Sequence, residues 1–502
     1  MADIYEPAYS DWAGILKANL ARRRVTKDAR VVGMEEVKRL LNAERIAAIR
    51  KGVLTCVHRH MELIEAALEK CRVPGLGSLI GTTGADIPIL MAGHQPVIYH
   101  QGLLCKVETL SQLAKDTQAL GINVVIDTDE GDAGALVWPR ILHGQLELRR
   151  ASISDAIGQS VLYSEQRVAA ASVTQGIFAE IERDLRGSGL EAVIKQVCYV
   201  GKLYEQLAGE QLVVAHAVVR QALTDVSICE VPLSALLRDA EMRELIDELV
   251  SDGERLVLTY NSTLDAYRRE HRIHNPANPF PNMKSSAETL ELPLWRVIAG
   301  RREPVFIEVG SAAARAVPGE LVSRGSLTTL ILRGFCSDMF IHGLGGGKYD
   351  RFVDRLALAY LGVELPTYVV ASRTEYLFPE KVSELARSID LASKLKELTA
   401  RPEQYFGQGV FSSLEEIELD RLSRERSALR GAMEQAKTPD AKSSVAHALN
   451  AANRAIRSFI ESGTLREHIV NAASREAALA RWSFREFPFF LMDHSYKLPR
   501  SA

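Results

Sequence analysis

The chain has 502 residues, 47% hydrophobic and 25% charged, ordinary values for folded domains that exclude disordered, collagen-like and disulfide-scaffold classes. Its length accommodates roughly two to four domains with a sizeable core. With 61 basic against 64 acidic residues the formal net charge is −3, so no global field draws the chain to nucleic acid or to an anionic membrane, and a small molecule is the expected partner.

The opening MADIYEPAYSDW lacks a charged stretch followed by an apolar one, and no later run approaches the ~18 apolar residues that span a bilayer. The expectation is a cytoplasmic protein with no membrane segment. Cys56, Cys71, Cys105, Cys198, Cys229 and Cys336 stand far apart, with no C-x-x-C and no zinc-finger spacing. They read as buried thiols in a reducing compartment, and no metal ligand set is expected. Cys105, among Leu103, Leu104 and Val107, reads as core.

Residues 1–85 read as a helical region. Val37, Leu40, Leu41, Ile46 and Ile49, then Met61, Ile64 and Leu68, recur at three and four residues. His58 and His60, two apart, point to different helix faces and do not form a metal pair. From residue 87 the texture becomes strand, glycine loop, helix, strand. IPILMAG is an apolar run, GLLCKVETLSQLAKDTQAL carries Leu103, Val107, Leu110 and Ala114 on one stripe and is expected to stop at Gly121, and INVVIDTDEGD is a second buried run. This is a βαβ unit, which implies an α/β fold with a parallel sheet.

Residues 150–300 are mixed. Helical stretches such as LSALLRDAEMRELIDELVSD alternate with HRIHNPANPFPNMK, whose prolines impose an irregular, extended loop. The segment reads as part of a core of residues 86–390 together with an inserted domain. DMFIHGLGGGKYDRFVDRLALAYLGVELPTYVVAS then gives strand, glycine loop, helix stopped at Gly362, and strand. Two such units suggest one split sheet that sets its glycine loops side by side. Residues 391–480 read as a helical hairpin: Leu422, Leu429 and Met433 form one stripe, TPDAK breaks it, and Val445, Leu449, Ala452, Ile456 and Phe459 form another. This coiled-coil-like seam fits a homodimer arm through residues 414–460 and an intramolecular hairpin equally well. The tail from 481 to 502 is too aromatic to leave in water and is expected on the body of the protein.

In open α/β sheets ligands gather at the carboxyl ends of the strands, where helix N-termini offer unpaired N–H groups. ILMAGHQPVIYHQGLLCKVETL supplies such a place. Gly93 and Gly102 let the backbone approach a ligand, His94, Gln95 and His100 add polar tips suited to a transferring phosphoryl group, and Lys106 lies one turn into the helix. The next strand ends in DTDEGD, where Asp127, Asp129, Glu130 and Asp132 crowd together. Such mutual repulsion suits an amine substrate, a cation or a shared proton. The third loop, HGLGGGKYD, sets Gly343, Gly345, Gly346 and Gly347 ahead of a helix as an anion-binding nest, with His342, Lys348 and Tyr349 beside it. It matches neither the Walker A spacing nor G-x-G-x-x-G. A capping turn, a solvated acidic turn and a tight structural turn are the plain readings of the three loops.

GHQPVIYHQGLLCKVETLSQLA resembles the G-Q-Q-x-G-L-x-x-G-P-L-Y-x-x-x-K segment of the cysteine-adding enzymes of bacillithiol biosynthesis (the BshC family). VVIDTDEGD lies where that family has an acidic-acidic-His-Asp cluster, and LTTLILRGFCSDMFIHGLGGGKYDRFVDRLALAYLGVELPTYVVASR is similar to its late glycine loop, helix and strand. Order and intervals agree over about residues 85–380. The resemblance implies a nucleotidyltransferase-like Rossmann core with an inserted connecting domain, a C-terminal helical hairpin that dimerises, and a ligase reaction joining cysteine to an amine-bearing sugar conjugate. It places Gly93, His94, Gln95, Gly102 and Lys106 on the first motif, Asp129, Glu130 and Asp132 on the second, and Gly343 and Gly345 on the third. His94 replaces the family's first glutamine, Gly131 replaces its histidine, the third loop gains glycines and Lys348, and Arg324 and Arg333 only loosely mirror its arginine-rich approach.

The expected function is therefore a ligase using ATP or another adenine nucleotide. His94, His100, Lys106 and Lys348 would stabilise phosphoryl charge, and Asp129 with Asp132 would hold an amine or Mg²⁺. The alternatives are an adenylyltransferase or amide ligase for another substrate, and a non-catalytic binding protein on a retained core whose working part is the hairpin.

Overall fold

In the computed structural model, residues 2–28, 42–77, 87–158, 161–275, 277–310, 320–463, 465–466 and 472–493 are described. They form two units, one of Met1–Ile141, Leu148–Glu375 and Arg485–Ala502, the other of Leu142–Glu147 and Tyr376–Phe484.

The first unit is built on strands β1 (Ala2–Glu6), β2 (Ile89–His94), β3 (Leu120–Val125), β4 (Ala135–Leu142), β5 (Gln145–Ser152), β6 (Cys229–Pro232), β7 (Thr289–Ile298), β8 (Arg301–Glu308), β9 (Glu320–Ser323), β10 (Met339–His342) and β11 (Val369–Thr374). Six of them form one sheet in the order β1-β11-β10-β2-β3-β6. β1 runs antiparallel to β11, and every other pairing is parallel. β3, β6 and β10 are buried at every residue, so both faces of the sheet are covered and their apolar runs are continuous rather than alternating. The fold is thus α/β with a mixed, mostly parallel sheet.

The expectation for the first region needs correction. The region 1–85 is not wholly helical: ADIYE adds a strand at the sheet edge before α1 (Trp12–Asp28) and α2 (Ala43–Lys70) begin. Val37, Leu40 and Leu41 lie outside the described residues. Within the segment 150–300, β6 belongs to the central sheet and pairs with β3 as its outermost parallel strand.

Helix α3 (Gln101–Thr117) connects β2 to β3. It ends not at Gly121 but at Gln118, which takes up the left-handed conformation with φ 51 and returns its N–H to Ala114 and Lys115. Gly121 sits inside β3, where a Cβ would come within 3.2 Å of the Ala114 side chain, so helix and strand pack closely only because it is glycine. The second connection behaves as expected: α4 (Leu344–Leu361) closes at Gly362, φ 68, before β11.

β7, β8 and β9 form a separate three-stranded antiparallel sheet in the order β8-β7-β9, and β4 pairs with β5. The described part of the tail from 485 to 493 packs within the first unit: Phe487, Phe489, Phe490 and Leu491 are buried, the Phe489 amide donates to the Tyr99 carbonyl at 2.7 Å, and Gln196 Nε2 donates to the Phe490 carbonyl at 2.6 Å.

The second unit centres on α5 (Ser413–Gln435) and α6 (Pro439–Ser462), an antiparallel pair within one chain. Ser412 opens α5 with a reciprocal capping box to Glu415, and Pro439 starts α6 at the position where a missing N–H costs nothing. Leu419, Leu422, Ile456 and Ile460 share a core with Leu398, Val410, Phe411 and Leu465. The expected outer seam residues Leu429, Met433, Val445 and Leu449 are only half-buried. Among the described residues no helix is long and apolar enough to cross a membrane.

Candidate functional site

The strand order reverses between β2 and β10: the chain runs outward from β2 through β3 to β6, then returns to β10 and β11 on the other side. At such a reversal the loops leaving adjacent carboxyl ends diverge and open a crevice. A cleft of about 260 Å³ lies there. Gly93 of β2, Ile126, Thr128 and Asp129 after β3, and Phe340 and His342 of β10 line it, joined by Gly346, Tyr349 and Asp350 from the start of α4. Trp295 of β7, Arg302 of β8, Ser323 of β9, Arg324, Thr328 and Phe280 complete the lining. All three sequence loops therefore contribute to one cavity, but with only part of the expected set: Gly93, Asp129, His342, Gly346, Tyr349 and Arg324 line it, whereas His94, Gln95, His100, Lys106, Asp127, Glu130, Asp132 and Lys348 do not.

In the first loop only Gly93 lines the cleft. A Cβ on it would stand 3.2 Å from the Val124 carbonyl, so the glycine serves packing between β2 and β3. His94 turns its Nδ1 to the Gln95 carbonyl at 3.2 Å. Its ring is largely enclosed, and burial, with Lys106 nearby, lowers its pKa to about 3, so it is neutral near pH 7 and carries no charge for a phosphoryl group. His100 is the N-cap of α3, where Nδ1 accepts the Gly102 amide at 3.0 Å, and burial lowers its pKa as well. That amide is consequently unavailable to an anion. Lys106 is buried, donates to the Gly93 carbonyl at 2.7 Å, and has its pKa lowered to about 8 by burial. It braces the loop from beneath instead of reaching into the cleft.

The acidic cluster disperses. Asp127 accepts from the Ser234 amide at 2.8 Å and the Ser234 hydroxyl at 2.5 Å, with its pKa raised to about 6 by burial. Asp132 accepts from the Gly134 amide at 2.9 Å and Ser152 Oγ at 2.7 Å, which makes it a turn residue. Asp129 and Asp132 thus point to different partners and do not form the expected Mg²⁺ or amine pair. Glu130 accepts from the Arg302 amide at 2.9 Å. Asp129 alone faces the cleft, held by Gln95 Nε2 at 2.6 Å and by Arg302 Nη1 at 2.5 Å. Among the described residues no group of three His, Cys, Asp or Glu is placed to hold a metal ion.

The third loop is the first turn of α4, with Gly343 as N-cap, rather than a separate nest. Gly346 and Gly347 are packing residues: added Cβ atoms would meet His342 Nδ1 at 2.9 Å and Val370 at 2.6 Å. Gly343 and Gly345 have open space around a hypothetical Cβ. Lys348 is exposed and outside the lining, whereas Tyr349 projects into it beside Phe280, ring centroids 6.0 Å apart. Arg324 stacks on Trp295 at 3.7 Å and pairs with Glu291 at 2.6 Å, and Arg302 lies over the same indole at 5.1 Å.

Sequence reasoning missed Arg302, Trp295, Phe280 and Asp350, and reached Arg333 only through the resemblance. His342 Nε2 lies 2.8 Å from Asp350 Oδ2, which Arg333 Nη1 meets at 2.6 Å. The signal available for Asp350 was its place one turn after the glycines. The residues of β7 and β8 carried no local signal. No protein-family model matches the chain, and a search of curated proteins gives no match.

Proposed function

We propose that the protein is a small-molecule ligase on a Rossmann-type core, joining an amino acid to an amine-bearing partner after activation of the carboxyl group at the expense of an adenine nucleotide. Counted from β2 as the first strand, the parallel strands take the order 3-2-1-4-5, that of doubly wound nucleotide-binding folds. The observation that carries the reading is the convergence of the β2, β3 and β10 ends on one cleft. Arg302, Arg324 and the N-terminus of α4 favour an anionic group there, and Trp295, Phe280 and Tyr349 offer faces to an apolar or planar one. At about 260 Å³ the cleft is smaller than the ~300–1,000 Å³ typical of sites for larger ligands, which suits an amino acid and the phosphoryl end of a nucleotide. The resemblance to the bacillithiol enzymes makes cysteine the first amino acid to test and an amino-sugar conjugate the first acceptor.

Calorimetric titration of the full chain with ATP, ADP and AMP, alone and with cysteine present, tests this. Saturable binding of at least one nucleotide is expected, weakened about tenfold by Arg302→Ala, a change of ~1.4 kcal/mol. No binding to any of the three removes the nucleotide-dependent reaction.

A further inference from the structure

The side chain of His342 ends β10 at 9% exposure and lines the cleft. Its Nε2 meets Asp350 Oδ2 at 2.8 Å. Asp350, 3% exposed, is in turn gripped by Arg333 Nη1 at 2.6 Å. Arg333 is itself fixed by the Pro366 carbonyl at 2.7 Å, by Asp354 at 2.8 Å and by the face of Tyr368 at 4.7 Å. A carboxylate held by a guanidinium has no proton to give, so the proton in the His342–Asp350 contact sits on Nε2. In the neutral ring this leaves Nδ1 with its lone pair. Nδ1 faces the first turn of α4, where Gly346 keeps it uncovered, since a Cβ there would stand 2.9 Å from it. Among the described residues Nδ1 meets no hydrogen-bond partner of the protein.

We infer that His342 Nδ1 is the proton acceptor of the cleft, and that Asp350 and Arg333 are positioning residues that fix its tautomer. Only the reaction it serves rests on the ligase reading. There, the amine nitrogen attacks the carbon of an acyl phosphate or acyl adenylate. The C–N bond forms, the C–O bond to the phosphoryl group breaks with its electron pair leaving on oxygen, and the proton lost by the amine passes to Nδ1.

Nitrogen NMR of the full chain labelled with ¹⁵N-histidine at neutral pH tests the assignment without any ligand. His342→Gln identifies the signal. The ring is expected protonated at Nε2 and bare at Nδ1. Asp350→Asn, whose amide can donate to the ring, is expected to move the proton to Nδ1. A wild-type ring protonated at Nδ1 overturns the inference, as does an unchanged tautomer in folded Asp350→Asn. If that variant does not fold, the wild-type spectrum alone decides. Failure of the nucleotide titration leaves this result untouched, and a wrong tautomer leaves nucleotide binding untouched.

Discussion

Arg333→Ala is expected to destabilise the first unit by about 3–5 kcal/mol, the range for removing one partner of a buried ion pair. Arg333 is 1% exposed and satisfies Asp350, Asp354 and the Pro366 carbonyl together. Without it, the Asp350 carboxylate stays buried with His342 as its remaining hydrogen-bond partner among the described residues, and the π-helical segment Leu332–Cys336 loses its tie to the segment that precedes β11. Arg333→Lys retains the charge but not the planar fork that reaches several acceptors at once, so it recovers part of the loss. Urea unfolding of wild type and both variants checks this, and a loss below about 1 kcal/mol for the alanine variant would show that the pair is not a structural keystone.

Acidification from pH 7 to 5 is expected to cost stability. His60 and His216 are buried, and burial lowers each pKa to about 4. His216 is fixed as the neutral ring, Nδ1 accepting from Tyr204 at 2.8 Å and Nε2 donating to the Ala133 carbonyl at 2.9 Å. Because the folded value lies below the ~6.5 of the unfolded chain, the unfolded state takes up protons first. The contribution of these histidines is complete above about pH 6.5 and is lost as pH falls towards their folded values. At pH 5 the loss is about 2 kcal/mol for each. Asp127 acts in the opposite sense. Its pKa is raised to about 6, so its cost is absent below the unfolded value of ~3.9 and grows as pH rises through the folded one. Acidification relieves about 1 kcal/mol there, which offsets part of the histidine effect; with His94, whose pKa of about 3 adds a further ~2 kcal/mol, the net loss is roughly 5 kcal/mol. Urea midpoints at the two pH values check the sign, and stability that is flat or rising towards pH 5 contradicts the neutral, buried state of these rings.

Much of the central sheet was legible because its middle strands are buried on both faces, which forces runs such as ILMA and INVV, and because the helices between them carry a clear stripe. β1 and β6 were not legible, each for its own reason. ADIYE sits at an edge and pairs antiparallel, and CEVP is four residues long between helices, too short for periodicity to register. The cleft was legible as a place, since strand ends and glycine turns mark it, but not as a set of side chains. Asp132 finds Ser152 across a hairpin, and Lys106 extends under its own loop to Gly93, neither of which follows from spacing. Arg302 and Trp295 reach the cleft from a different sheet, so no local pattern announces them.

Hydrogen exchange of the full chain, with and without ATP and cysteine together, tests the convergence of the three loops as a ligand site most directly. Protection is expected to rise together at the amides of residues 93–95, 126–130 and 342–349, with the hairpin 413–462 unchanged. Protection confined to the hairpin, or at one of the three loops without the others, would contradict a shared site at the β2–β10 crevice.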